Sequence, residues 1–182
     1  IGSLFQSSIV RNFAKLLSAN IVAQVIGLIV YPILTRMYAP EDFGLMNLFL
    51  SISGIMVILS TAEYYNAIVL PKKDTEGVWI AYLCTGILLL VVGITGISVF
   101  FSDEIAQVFN LPVLANYYWL LPISILISGG WNILNYWYIR HTQYSSISKY
   151  QLSQSTFSAV AKIGFGHAGI LQGGLIYSMI IA

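Results

Sequence analysis

Charge is what this 182-residue chain lacks most. Only 15 residues are Asp, Glu, Lys or Arg, which is 8%, where an ordinary soluble domain carries about 25%. So few charges cannot cover a water-soluble globule, and a soluble cytosolic enzyme is excluded. A net charge of +1 offers no basic field for nucleic acid. One cysteine forms no internal disulfide and no cysteine-rich metal site. What is abundant instead is apolar: 58% of the residues are hydrophobic, and the mean hydropathy is +0.82. This is the composition of an integral membrane protein.

The gaps between charges set the crossings. Twenty uncharged residues lie between Lys15 and Arg36, and 20 between Asp42 and Glu63. Glu76 to Asp103 encloses 26, Glu104 to Arg140 encloses 35, Lys149 to Lys162 encloses 12, and 20 follow Lys162. A helix crosses the hydrocarbon core with about 20 mostly apolar residues. The pattern predicts an all-α polytopic transmembrane bundle of about six spans, at 13–37, 43–70, 78–101, 113–138, 149–165 and 168–182. A cleaved signal peptide does not fit 1–37, because no small-residue cleavage site follows and a second span comes at once. The start at Ile1 and the uncapped end of the last span suggest an N-terminal portion of a longer protein.

Loop charges orient the bundle. With the amino terminus in the cytoplasm, the inner segments hold Arg11, Lys15, Lys72, Lys73, Arg140 and Lys149, while the outer loops hold Arg36. The 102–112 loop, with Asp103 and Glu104, falls outside and has the makings of a short surface helix. Tyr117, Tyr118 and Trp119 at one end of span four, with Trp137 and Tyr138 at the other, suit interfacial aromatic belts.

Catalytic signatures are missing. The chain has no P-loop, no dinucleotide-type glycine pattern, no HExxH, no GxSxG and no CxxC, so no enzyme activity and no cofactor or metal is expected. His141 and His167 lack a partner at ligand spacing and read as solvated or capping residues. Cys84 reads as a small packing residue. Gly169 and Gly173 match GxxxG, which favours close helix packing.

Polar residues inside the spans carry more. Asn20, Gln24, Gly27, Tyr31 and Thr35 fall within about 80° of one another on a helix. Asn47, Ser51, Gly54, Thr61 and Tyr65 do the same on span two, and Ser124, Ser128, Trp131, Asn135 and Tyr138 on span four. Span five is the least apolar, with Gln151, Gln154, Ser158 and Lys162 in one line. Any single stripe is explained by helix packing through small and hydrogen-bonding residues. Several together suit a water-filled cavity, since amides facing lipid are costly. Lys162 and Glu63 are the two charges inside spans, and an ionisable residue there is a functional candidate. Against this, Lys162 can snorkel to the outer interface, and Glu63 can pair with Lys15 or Lys72 at the inner one. Pro32 and Pro122 are candidate kinks.

Specific strings also have a likeness. Asn12-Phe-Ala-Lys15, Leu16-Leu-Ser-Ala-Asn20, Tyr31-Pro-Ile-Leu-Thr-Arg36 and Tyr38-Ala-Pro-Glu-Asp-Phe-Gly44 resemble the amino terminus of bacterial polysaccharide flippases. These are Wzx-like O-antigen and capsule repeat-unit transporters of the MOP exporter superfamily. Ala67-Ile-Val-Leu-Pro71, Trp137-x2-Arg140-x3-Tyr144 and Gly173-Gly-Leu-Ile176 are similar too. The resemblance implies the N-terminal lobe of a MATE-like two-lobe transporter in the bacterial inner membrane. Its cargo would be an undecaprenyl-pyrophosphate-linked oligosaccharide, moved from the cytoplasmic to the periplasmic leaflet. Expected partners are that lipid-linked substrate, the bilayer, a C-terminal lobe and other polysaccharide assembly proteins. Where many relatives carry Arg-Tyr-Glu, this chain has Glu63-Tyr64-Tyr65. That leaves Lys162 and Lys15 to attract an anionic head group. Expected cavity residues are Asn20, Gln24, Tyr31, Asn47, Gln154, Ser158 and Lys162, with Glu63 and Lys15 as coupling or inner-gate charges. The competing expectations are a multidrug or cation antiporter of the same superfamily, for which Glu63 is the only carboxylate candidate, and a membrane-embedded polymerase or acyltransferase. A structural membrane subunit is the plainest alternative.

Overall fold

In a computed structural model, residues 2–108, 112–171 and 173–181 are described, with side chains from Ala14 onward except that of Val108. Residues 109–111 of the expected surface helix, and 172 and 182 of the expected sixth span, lie outside them.

Every regular element among the described residues is helical. They are α1 (Gly2–Met37), α2 (Pro40–Thr61), α3 (Asp74–Ser98), α4 (Ser102–Val108), α5 (Pro112–Tyr118), α6 (Leu121–Arg140), α7 (Tyr144–His167) and α8 (Gly174–Ile181). Short 3-10 turns cover Tyr64–Val69 and Val99–Phe101. Helices long and apolar enough to cross a membrane are Ala14–Met37, Pro40–Thr61 and the continuous run Asp74–Gln107. A fourth forms if Pro112–Tyr118 and Leu121–Arg140, bent by 60°, make one broken span. The chain is a polytopic helical membrane protein.

Several boundaries differ from the charge-gap reading, each for a local reason. Span two stops at Thr61, because Ala62 and Glu63 turn into the left-handed region (φ 44 and 55). Span four breaks at Tyr118, four residues before Pro122, where the proline ring would strike the Tyr118 carbonyl and supplies no N–H to it. Segment 102–108 forms the short helix α4 and follows α3 through the Val99–Phe101 turn in one run, Asp74–Gln107. Helix α7 has 24 residues, enough to span, yet its glutamines, serines and Lys149 keep it out of the apolar set.

The described chain forms two compact units. The first comprises 1–40 and 138–182; α1 packs along α7, and α8 folds back on α7. Small residues allow the close approach. The buried Tyr38 ring sits against Gly166 and Gly174; a Cβ on Gly166 would come within 2.6 Å of Met37 Cε and 3.2 Å of Tyr38. The pair Gly169 and Gly173 is used differently from the GxxxG expectation. Gly169 (φ 74) closes α7 with bonds from its own N–H to the Gly166 carbonyl and from Ile170 N–H to the Phe165 carbonyl. That is a Schellman cap, which wants glycine at the left-handed position.

The second unit comprises 41–137. Ile68, Cys84, Leu88, Ile125 and Ile133 form its core, and Met56, Val57, Tyr65 and Trp137 pack around them. Gly129 is needed here, because a Cβ would meet Leu88 Cδ1 at 2.5 Å. The Tyr65 and Tyr136 rings meet at a tilt of 44° with centroids 5.0 Å apart, and Ser98 Oγ lies 3.1 Å from Tyr118 Oη in a hydrogen bond.

Candidate functional site

Where α1 runs beside α7 in the first unit, the seam does not close completely. It holds a cavity of about 420 Å³, inside the range of small-ligand sites. Helix α1 contributes Ala23, Gly27, Val30, Tyr31 and Leu34; α7 contributes Gln154, Ser155, Ser158, Ala159 and Lys162. Spacing of three and four places these on one face of each helix. Gly27 and Ala23 present almost no side chain, so the room is created on α1 and filled with polar groups from α7.

Which of those groups is available to a ligand depends on where each hydroxyl already points. The Ser155 hydroxyl donates to the Leu152 carbonyl at 3.0 Å and is committed to its own helix. Thr156 does likewise to Leu152 at 2.8 Å. Several hydroxyls on other helices do the same. Ser51 donates to Asn47, Ser53 to Leu50, Ser60 to Val57 and Thr85 to Ala81. Such back-bonding satisfies a hydroxyl without any partner helix. Gln154, Ser158 and the Lys162 ammonium make no such bond to the described residues, so the cavity's free hydrogen-bonding capacity rests with them. Deeper in α7, Gln151 Oε1 is buried with no partner among the described residues.

Lys162 is placed by its backbone. Its carbonyl accepts a hydrogen bond from the buried Tyr38 hydroxyl at 2.7 Å. Helix α7 begins at Tyr144, so Lys162 stands about 27 Å along it, close to its far end. The side chain is half-buried and turns into the cavity. The C-terminal end of a helix favours a cation, which eases the burial of this ammonium.

Of the expected cavity residues, Tyr31, Gln154, Ser158 and Lys162 line this one space. Asn20 is half-buried and Gln24 exposed on α1, and neither borders it. Asn47 is exposed on α2 in the second unit. Glu63 is exposed at the left-handed turn after α2, not within a helix. Lys15 borders a second, smaller space of about 240 Å³ on the same α1–α7 seam, together with Lys149. Among the described residues no three of His, Cys, Asp and Glu come together to hold a metal ion. Charge spacing alone misses the anchoring by Tyr38 and the closeness of Lys149 to Lys15. The available signal is Gly166 and Gly174, small residues eight apart at the end of the polar helix.

The model of a family described as polysaccharide biosynthesis protein matches residues 33–182. Comparison with curated proteins and with solved structures gave no match.

Proposed function

The chain belongs to the polysaccharide biosynthesis protein family, and from that premise we propose that it is the N-terminal part of a Wzx-like translocator. Its cargo is an oligosaccharide carried on a polyprenyl pyrophosphate, flipped from the cytoplasmic to the periplasmic leaflet of the bacterial inner membrane. The observation that carries this reading is the α1–α7 cavity, with an uncompensated ammonium at one end and amide and hydroxyl groups along its wall. Moving a pyrophosphate-linked sugar between leaflets needs no covalent step. It needs a polar surface inside the membrane and a cation to offset the head group's charge. Gln154 and Ser158 supply hydrogen bonds suited to sugar hydroxyls, and Lys162 supplies the charge.

An antiporter reading rests on Glu63, which stands exposed on a turn and not in a span; no specific observation favours it.

The test uses the full-length protein in cells that export surface polysaccharide. Lys162→Ala is expected to reduce export about tenfold or more, the worth of one charge-assisted hydrogen bond, with the protein still present in the membrane. Lys162→Arg should retain export. Asn20→Leu, outside the cavity, should have the smaller effect. Normal export in Lys162→Ala would remove Lys162 from the transport path.

A further inference from the structure

The second space on the α1–α7 seam has a different character from the first. Lys15 and Lys149, from opposite ends of the sequence, both border it and both are exposed. Its apolar wall consists of Ala19, Val22 and Leu152, and Ser18, Ser145 and Ser148 complete it. Among the described residues no carboxylate lines it. Two lysines bordering one groove with no carboxylate in its lining make it a place where an anion is favoured.

The serines are not equivalent. Ser18 donates to the Lys15 carbonyl at 3.0 Å, and Ser148 to the Tyr144 carbonyl at 3.0 Å. Ser145 makes no bond to the described residues, so its hydroxyl remains a donor. It lies in the first turn of α7, whose N-cap residue Gln143 gives no side-chain cap. The partial positive charge of that helix end therefore adds to the two ammonium groups.

We propose that this groove binds the phosphate of an anionic phospholipid from the surrounding bilayer. The phosphate lies between Lys15 and Lys149 with Ser145 as a donor, and the first methylenes of the acyl chains lie along Ala19, Val22 and Leu152. The apolar wall is the reason for choosing a lipid over a free anion. A soluble phosphate gains nothing from Val22, which is 47% exposed, whereas an acyl chain is stabilised by each methylene it buries there. With the amino terminus inside, as the loop charges predict, the lysines meet the leaflet where anionic lipids concentrate. The site is separate from the Lys162 cavity. Lys149 and Lys162 are 13 residues apart on α7, or about 20 Å.

The experiment measures lipid retention on the full-length protein in mixed micelles by native mass spectrometry. The probes are dioleoylphosphatidylglycerol, dioleoylphosphatidylcholine and inorganic pyrophosphate. Phosphatidylglycerol should be retained over phosphatidylcholine, and the paired variant Lys15→Gln with Lys149→Gln should lower that preference by about an order of magnitude. Lys15→Arg with Lys149→Arg should restore it. Lys72→Gln with Lys73→Gln, the same charge change at another place, should leave it intact. Equal retention of the two lipids would overturn the proposal, as would an unchanged preference in the glutamine pair or an equal loss at Lys72 and Lys73. Displacement of phosphatidylglycerol by pyrophosphate at equal concentration would overturn the lipid as the source and leave a plain phosphate site. None of these results depends on export, which the Lys162 variants address.

Discussion

The seam between α1 and α7 and the core of the 41–137 unit solve opposite problems with the same tools. Both use glycine to bring helices close: Gly166 against Met37 and Tyr38 in one, Gly129 against Leu88 in the other. In the 41–137 unit the approach leaves a dry interior, where Ile68, Cys84 and Ile125 are fully buried. Along α1–α7 it leaves two spaces, of about 420 and 240 Å³. Helices α1 and α7 pack along their length, with Ala19 and Leu34 buried, and the two spaces open between these contacts. The difference lies in what lines the gap: branched aliphatic side chains close it, while glutamine, serine and lysine leave a polar space suited to water.

Mutations on the two sides of that contrast should separate folding from transport. The largest stability loss is expected from Leu88→Ala, about 2–5 kcal/mol for an aliphatic side chain removed from a packed core. Cys84, the single cysteine and fully buried, reports it directly. Its alkylation by a membrane-permeant maleimide should speed up markedly, while export per folded molecule is unchanged. Slow labelling in this variant would mean the core is not where the stability of that unit lies. Next comes Tyr38→Phe, which removes the hydroxyl that donates to Lys162. A loss of about 1 kcal/mol is expected, measured as a lower midpoint of thermal unfolding in detergent. An unchanged midpoint would show that the bond contributes nothing. The smallest stability change belongs to Ser158→Leu, which fills the wet side with an aliphatic chain. It should alter stability by less than about 1 kcal/mol and yet abolish export, because the cavity closes. Export at the normal level in this variant would break the comparison, since the open seam would then serve no passage.

Much of this architecture is legible in the amino-acid sequence. The positions of 15 charges mark apolar runs that overlap α1, α2 and α3, because apolar length follows bilayer thickness, although α2 ends at Thr61 and not at 70. The polar line Gln154, Ser158 and Lys162 points to one helical face, and the face borders a cavity. What the sequence hides are effects that hydropathy does not encode. Pro122 is a candidate kink in the sequence, but the 60° bend between Pro112–Tyr118 and Leu121–Arg140 is not written in hydropathy. Glu63 leaves its span because two residues adopt left-handed backbone, and nothing in Ala62 or Glu63 advertises it. Gly169 and Gly173 match a packing motif, but Gly169 serves a turn. Ser51 and Thr61 of the span-two stripe have the look of interhelical glue, yet their hydroxyls donate to Asn47 and Val57 within their own helix. Lys15 and Lys149 are 134 positions apart, and only the pairing of α1 with α7 brings them to one groove.

The run from α3 through α4 carries one further consequence. It is a continuous 34-residue helix, about 51 Å long, and its uncharged stretch between Glu76 and Asp103 has 26 residues, about 39 Å. The hydrocarbon layer is about 30 Å thick. The excess must be absorbed by lean or by a locally swollen bilayer. Phe100 and Phe101, 85% and 57% exposed near the far end of that stretch, would be the first residues drawn out of or into the acyl layer. Lipids of shorter or longer tails should therefore act on this run as a mechanical load, with no ligand involved.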